Sequence, residues 1–558
     1  MRKKLDDILR GSLQACFEKG ELTECPLPEY VIEVPRNVEH GHFATNLPLT
    51  LAPLQKRSPR DVAHVILEHL KDEGNLIERA EVAGPGFINF LIRREHWYRV
   101  LSQIVARGQD YGRSTIGKGE RVLVEFVSAN PTGPLHLGHG RGAALGDTLC
   151  RVLSFTGHDV VREFYINDAG QQVRLLGESI YSRWMQSSEP DSPFPEDGYR
   201  GDYVRDLAEE IAGELDLKAM GREQAIERCA KLGKEKMLRE IKKDLELFRV
   251  SFDVWTKESD LHDSGLLGRT LDAIRKGNQS YEKDGALWIR TSLFGDDKDR
   301  VIRKSDGQYT YFASDIAYHL DKWKRGFSKA INIWGADHHG YVDRMKAALK
   351  SNGLSEDWLA VLLIQLVKLW KGGEEIRMSK REGHYITLRE LIEEVGVDAV
   401  RFVFLTKNHD SPLDFDIDLV KKQESNNPVY YVQYAHARIC SIMRKAQAEG
   451  IELPRESDGL LERLVLDEEL ALIRMMAEFP SLLEDIALTL EPHRLTYYLT
   501  EIASLFHRYF NLGTRMSEHR VIGADTQLTK ARLFMAEGMR ILLYNGLNLL
   551  GVEAPEKM

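Results

Sequence analysis

The strongest constraint on the fold is a place where an apolar segment, a proline- and glycine-bearing loop and a helix-forming stretch follow one another directly. Arg121-Val122-Leu123-Val124-Glu125-Phe126 reads as a strand, and its apolar run suits a sheet covered on both faces. The loop Asn130-Pro131-Thr132-Gly133-Pro134-Leu135-His136-Leu137-Gly138-His139 follows, and the pattern from about His139 to Phe155 predicts a helix. Strand, loop and helix in that order open a nucleotide-binding α/β fold, because the helix start offers unpaired N–H groups and the positive end of a dipole. His136 and His139 can then donate to phosphate oxygens, while Gly138 lets a nucleotide lie against the backbone. The plainer alternative is two surface histidines in a proline-rich turn; the strand-loop-helix setting favours the phosphate reading.

A chain of 558 residues exceeds what one hydrophobic core serves, so about three or four domains are expected. Residues 1 to about 112 mix a helical pattern (Leu5, Ile8, Leu9, Leu13) with the strand-like runs Tyr30–Val34 and Phe87–Ile92, which predicts a small α/β module. From about Gly170 to Arg300 charged, helix-forming sequence dominates and reads as an insertion. Ala330–Trp334 and Val361–Leu366 then resume the parallel sheet. Beyond about residue 385 the periodicity is helical, with Leu495, Tyr498, Leu499, Ile502, Phe506 and Tyr509 on one helix face.

Composition narrows the functional classes. A net charge of -10 excludes a protein that coats nucleic acid through excess Lys and Arg, so any nucleic-acid surface has to be local. No apolar run approaches the roughly 20 residues of a membrane span, and the N-terminus lacks a secretory pattern; a cytoplasmic location is the expectation. The five cysteines are scattered without a C-x-x-C pair and read as reduced thiols.

Arg377-Met378-Ser379-Lys380-Arg381-Glu382-Gly383 forms a second motif after Lys371-Gly372-Gly373. When an α-phosphate is attacked, charge grows on its oxygens and on the departing pyrophosphate, which is where Lys380 and Arg381 would act. Taken alone, a basic loop is more often a solvated surface. The pair of motifs resembles the HIGH and KMSKS signatures of class I aminoacyl-tRNA synthetases, and the finer likeness is to the arginyl-tRNA synthetase family. Glu125–Pro134, Asn167-Asp168-Ala169-Gly170, Tyr199–Tyr203, Gly335–Gly340 and Tyr431–Arg438 resemble that family's segments. Arg377 and Arg381 depart from the usual lysine and serine, within a family whose second signature is degenerate.

The resemblance implies a fold class of α/β type: a Rossmann-type parallel-sheet catalytic domain with an N-terminal small α/β domain and a C-terminal all-α helical bundle. Its boundaries would be residues 1–112 for an N-terminal domain contacting the tRNA corner and 113–385 for the catalytic domain, with an insertion at about 170–300. A helical stem over 386–428 and a DALR-type anticodon-binding bundle over 429–558 would follow. The implied reaction is ATP-dependent activation of L-arginine and its transfer to the terminal adenosine of tRNA(Arg). The implied catalytic residues are His136, His139, Lys380 and Arg381. ATP would be held by Pro134, Leu135, His136, Gly138, His139, Gly335, Asp337, Met378, Ser379 and Lys380.

For arginine the family pattern implies Glu125, Ser128, Asn130, His139, Tyr311, Asp315 and Asp337. A guanidinium is a planar, permanently charged fork best met by carboxylates and neutral acceptors, so acidic residues should line the pocket. A site pairing both ends of that fork should reject lysine without editing. For tRNA the implied contacts are Phe87 and Asn89, for which a place in the strand core is an equal alternative, then Tyr434, Arg438 and Met558, where aromatics at helical spacing more often pack in a core. Asp and His in Gly335-Ala336-Asp337-His338-His339 invite a metal reading, but adjacent histidines without helical or strand spacing rarely converge on one ion. Mg2+ is expected only with ATP, no tightly bound metal is expected, and a monomer is anticipated. The rivals are a synthetase for cysteine or glutamine, a silent tRNA-binding relative, and a small nucleotidyltransferase sharing H-x-G-H.

Overall fold

The computed structural model describes residues 1–35, 37–168, 170–376, 386–454, 457 and 459–558. Contacts among them group the chain into two compact units. One joins Met1–Gly108 with Ile442–Glu478 and Arg508–Ile541, and the other joins Gln109–Ser441 with Phe479–His507 and Leu542–Met558. None of the described helices is long and apolar enough to cross a membrane.

In the first unit the helix Arg2–Glu18 buries Leu5, Leu9, Leu13 and Cys16, one inward residue per turn. Its sheet is antiparallel, with strands β1 (Ile32–Glu33), β2 (Phe43–Thr45), β3 (Ile77–Ala83) and β4 (Phe87–Ile92) in the order β1-β2-β4-β3. The strand expected over Tyr30–Val34 shrinks to Ile32–Glu33, because this edge strand has one neighbour and leaves Val31 and Val34 exposed. On β4, Ile88, Phe90 and Ile92 point into the core, so Phe87, Asn89 and Leu91 occupy the opposite face. The helix Arg94–Arg107 packs against Asp467–Ala477, and the Tyr98 hydroxyl donates to the Leu464 carbonyl at 2.9 Å. The N-terminal module and part of the C-terminal region thus share one core.

The second unit is built on five parallel strands: β5 (Arg121–Glu125), β6 (Asp159–Ile166), β7 (Val254–Lys257) and, after an intervening small sheet, β11 (Lys329–Gly335) and β12 (Leu359–Ile364). Strands β8 (Ser280–Lys283), β9 (Ala286–Ile289) and β10 (Arg300–Arg303) form that antiparallel sheet. The parallel order is β12-β11-β5-β6-β7. The chain therefore winds outward from β5 in one direction and returns to its other side with β11, which leaves a crevice at the carboxyl ends of β5 and β11. A third sheet combines β13 (Val367–Lys371), β14 (Glu374–Ile376) and β15 (Leu413–Asp416).

Two elements differ from the sequence reading. The interval 170–300 holds the helices Gln171–Ser188, Asp202–Glu214 and Arg222–Leu247, yet it also contributes β7, the edge of the main sheet, as well as β8 and β9. The region beyond 385 contains β15, paired in parallel with β13. In the helix His493–Arg515 all six residues assigned to one face are buried.

Candidate active site

Immediately after β5 the backbone turns back on itself. Ser128 N donates to the Phe126 carbonyl at 2.9 Å while Val127 holds φ +68°, a γ-turn in its rarer, strained form. A β-branched residue in that region costs on the order of 1–3 kcal/mol. The turn carries the Ser128 hydroxyl round to Glu125, where Oγ donates to Oε1 at 2.9 Å and accepts from Tyr165 N at 3.1 Å. Asn130 follows, its amide donating to Gln172 Oε1 at 2.6 Å, and the Tyr203 hydroxyl donates to the Thr132 carbonyl at 2.9 Å.

The helix expected from about His139 runs over Leu137–Phe155, with His136 as its N-cap. His136 Nδ1 accepts from Gly138 N at 3.1 Å and from His139 N at 3.4 Å, and His139 Nδ1 accepts from His136 N at 3.3 Å. A neutral imidazole that accepts at Nδ1 carries its proton on Nε2. Both rings, stacked with centroids 3.7 Å apart, are thereby prepared as Nε2–H donors at a helix start. Close packing fixes this helix against the sheet, since a Cβ on Gly146 would run into the Phe126 ring. The Leu135 side chain is fully buried and its carbonyl accepts from Leu388 N at 2.8 Å, so it offers a ligand little beyond shape.

A bridge between His136 and Thr387 brings the chain back beside the first motif. The second motif itself, Arg377, Met378, Ser379, Lys380 and Arg381, lies outside the described residues. Lys380 is seven residues from Thr387 along the chain.

Next to β5 stands a group of acids. The helix Tyr311–Lys324 places Tyr311 and Asp315 one turn apart; Tyr311 is 72% exposed, and Asp315 accepts from the Tyr341 hydroxyl. Glu125 is 5% exposed, with Oε2 held by Lys322 Nζ at 2.6 Å. Glu258, which opens the helix Glu258–Asp263 after β7, and Asp168 complete the set. Tyr165 lies within the field of all four: burial raises its pKa first, and Glu258, Asp315, Glu125 and Asp168 raise it further. Burial pushes the Asp315 carboxyl up to about 7, with Glu125 and Glu258 adding to the shift, against the Tyr341 hydrogen bond and Lys322. Glu258 is raised by burial and by Asp168, with His262 opposing. Burial works to raise Asp168 as well, but Ser259 N and Oγ and Lys234 Nζ, each at 3.0 Å, hold it below the usual carboxylate range.

Glu125, Ser128 and Asp315 are therefore brought together; the sequence reading gave Asp168 no role beyond a family-like segment and missed Tyr165, Glu258, Lys322 and Tyr341. The spacing of Tyr311, Asp315, Tyr318 and Lys322, one polar stripe along a helix, was the available signal for part of that set. At the end of β11, the Asp337 carboxylate lies against Gly335, where an added Cβ would have to displace it. Asp337 and His338 are exposed and 3.7 Å apart. Among the described residues no group of three His, Cys, Asp or Glu could hold a metal ion. On the helix Pro428–Ala448, Arg438 Nη2 donates to the Tyr434 hydroxyl at 2.9 Å and covers its ring, while Met558 is exposed. Phe87 is half-buried and Asn89 is 5% exposed.

Three family models match the chain. Residues 3–92 match the arginyl tRNA synthetase N-terminal domain, 100–440 the class I (R) tRNA synthetase catalytic domain, and 432–558 the DALR anticodon-binding domain. The arginine–tRNA ligase of Geotalea uraniireducens is 48% identical over 568 residues, and that of Desulfosudis oleivorans 47% identical over 562, each alignment spanning 100% of both chains. The solved arginyl-tRNA synthetase of Thermus thermophilus is similar in fold, with a TM-score of 0.79 at 22% identity over 100% of both chains.

Proposed function

Since the chain belongs to the arginyl-tRNA synthetase family and is an aminoacyl-tRNA ligase of class I, we propose how its own residues divide the work of joining arginine to tRNA(Arg). The observation that carries the assignment is the set Glu125, Asp315, Glu258 and Asp168 around Tyr165, beside a helix start capped by His136. A guanidinium needs several acceptors and a compensating negative charge once water is removed. Glu125 and Asp315 meet the fork, with Tyr311 closing over it from the same helix. Ser128, Asn130, His139 and Asp337 orient the α-carbon end.

ATP lies along Pro134–His139, with Gly335 and Asp337 taking the ribose and Met378, Ser379 and Lys380 reaching the phosphates. Mg2+ arrives with the triphosphate as part of the substrate. In the first step a carboxylate oxygen of arginine attacks the α-phosphorus, the bond to the bridging oxygen breaks, and pyrophosphate leaves. His136 and His139 donate from Nε2 to oxygens that gain charge, and Lys380 and Arg381 stabilise the departing group. In the second step the 2′-hydroxyl of the terminal adenosine attacks the arginyl carbonyl carbon, and AMP leaves with the electron pair of the broken mixed-anhydride bond. Neither step calls for a protein nucleophile.

For tRNA we assign Phe87 and Asn89 to the outer corner and Tyr434, Arg438 and Met558 to the anticodon loop. The domain boundaries at about 112, 385 and 428 and a monomeric working form belong to the same proposal. Amino-acid-dependent exchange of pyrophosphate into ATP, run with and without tRNA(Arg), tests the reading. Arginine should support exchange and lysine, glutamine and cysteine should not; exchange driven by one of those three and not by arginine overturns the specificity.

A further inference from the structure

The acidic pocket contains a cation of its own. Lys322 is 0% exposed, in the last turn of Tyr311–Lys324, a position where a lysine ordinarily reaches solvent. Its ammonium contacts Glu125 Oε2 at 2.6 Å and Asn332 Oδ1 at 3.2 Å, and sits 4.2 Å from the centre of the Tyr318 ring. Asn332, fully buried on β11, is oriented in turn by His319 Nε2 at 2.9 Å, and His319 Nδ1 lies 2.7 Å from the Asp315 carbonyl. Burial, followed by Lys322, pushes His319 down to about 3, so the ring stays neutral. Nδ1 then carries the proton toward the carbonyl and Nε2 accepts from the Asn332 amide, which turns Oδ1 of Asn332 toward the lysine. Every member of this chain has one orientation.

A buried ammonium beside a pocket meant for a guanidinium looks self-defeating, since it cancels one unit of the charge that attracts the substrate. Geometry removes the difficulty. An ionised carboxylate has about four acceptor positions, and Lys322 and Ser128 take one on each oxygen of Glu125. What remains is a carboxylate held on both oxygens, with an acceptor position still open on each. Without Lys322, Glu125 and Asp315 would face each other with no buried cation to offset them.

We propose that Lys322 is a positioning residue for arginine selection, acting through Glu125: it clamps Oε2 and leaves the free edge of the carboxylate to pair with one edge of the guanidinium. This rests on Glu125 contacting arginine as proposed above. The effect belongs to amino-acid binding rather than to nucleotide binding, because none of the groups that Lys322 touches belongs to the ATP motifs.

The test is a double-mutant cycle on the full-length protein, reading KM for arginine and for ATP in pyrophosphate exchange with tRNA(Arg) present. Lys322→Met should raise KM for arginine by about ten- to a hundredfold, the range for losing a hydrogen bond to a charged group, with KM for ATP within about twofold. Lys322→Arg should recover most of that loss. In a Glu125→Gln background the further change Lys322→Met should move KM for arginine by less than about twofold, since a neutral amide needs no counter-charge. Should Lys322→Met alone fail to fold, Glu125→Gln with and without Lys322→Met still decides, because removing a buried pair together is the tolerated change. Independent, multiplying effects of the two substitutions would overturn the proposal. An unchanged arginine KM in Glu125→Gln alone would instead refute Glu125 as an arginine contact, so the two failures are distinct.

Discussion

Arginine binding should release a proton, and Asp315 should be its source. In the free protein burial and the neighbouring Glu125 and Glu258 push this carboxyl up to about 7. A guanidinium beside it favours the ionised form, so the bound complex should hold Asp315 deprotonated throughout the accessible range. Binding then includes an ionisation that costs nothing at pH 8 and about a factor of ten for each pH unit below 7. Between pH 8 and pH 5.5 the affinity for arginine should fall about thirtyfold, close to 2 kcal/mol, while the guanidinium and carboxylate of arginine keep their charges. The sign follows from linkage: free protein carries more protons than the complex at low pH, so raising pH favours the complex. Equilibrium binding of labelled arginine across that range, together with calorimetry in two buffers of different ionisation enthalpy, reads both the slope and the proton. Asp315→Asn keeps an acceptor for the Tyr341 hydroxyl but removes the titration, so its arginine affinity should be weaker at pH 8 and nearly flat with pH. A flat profile in the unsubstituted protein, or an undiminished slope in Asp315→Asn, would refute the reasoning.

His136→Asn should keep the helix cap yet lower turnover by roughly ten- to a thousandfold, whereas His136→Ala should add a stability loss of about 1 kcal/mol; thermal melts beside charging assays separate the two effects, and equal turnover in His136→Asn and the unsubstituted protein would contradict the donor role. Asp147, 1% exposed, offsets the fully buried Arg401, whose other donors meet the carbonyls of Leu550 and Phe248 at 2.9 Å. Asp147→Ala should therefore destabilise the second unit by about 3–5 kcal/mol in denaturant titrations, and a loss under about 1 kcal/mol would show the pair to be dispensable. Phe87→Ala should weaken tRNA(Arg) binding by about 1–3 kcal/mol in filter-binding titrations while arginine affinity holds, and unaltered tRNA affinity would return Phe87 to a packing role.

The elements legible in the sequence are those whose partners are neighbours along the chain. The run Arg121–Phe126, the helix that follows the first motif and the apolar face of His493–Arg515 each announce themselves within a short stretch of chain, through periodicity and turn chemistry. Strand β7 does not, because Val254-Trp255-Thr256-Lys257 is four half-buried or exposed residues beside long charged helices, and any window wide enough to judge periodicity averages it away. Nor does the γ-turn at Val127, since a β-branched residue is the last one expected at positive φ and only its tertiary surroundings hold it there.

The acid pocket divides along the same line. Glu125 and Asp315 could be reached from motif likeness, whereas Lys322 near a helix end reads as a solvated cation by every local rule. Whether a charge is solvated or buried depends on what stands opposite it, and Lys322 and Glu125 are 197 residues apart in the chain. That pair can exist only after β5, β11 and the helix Tyr311–Lys324 have assembled. The orientation of the proposed arginine-binding carboxylate is thus a property of the folded sheet, and a motif can name Glu125 without revealing what holds it in place.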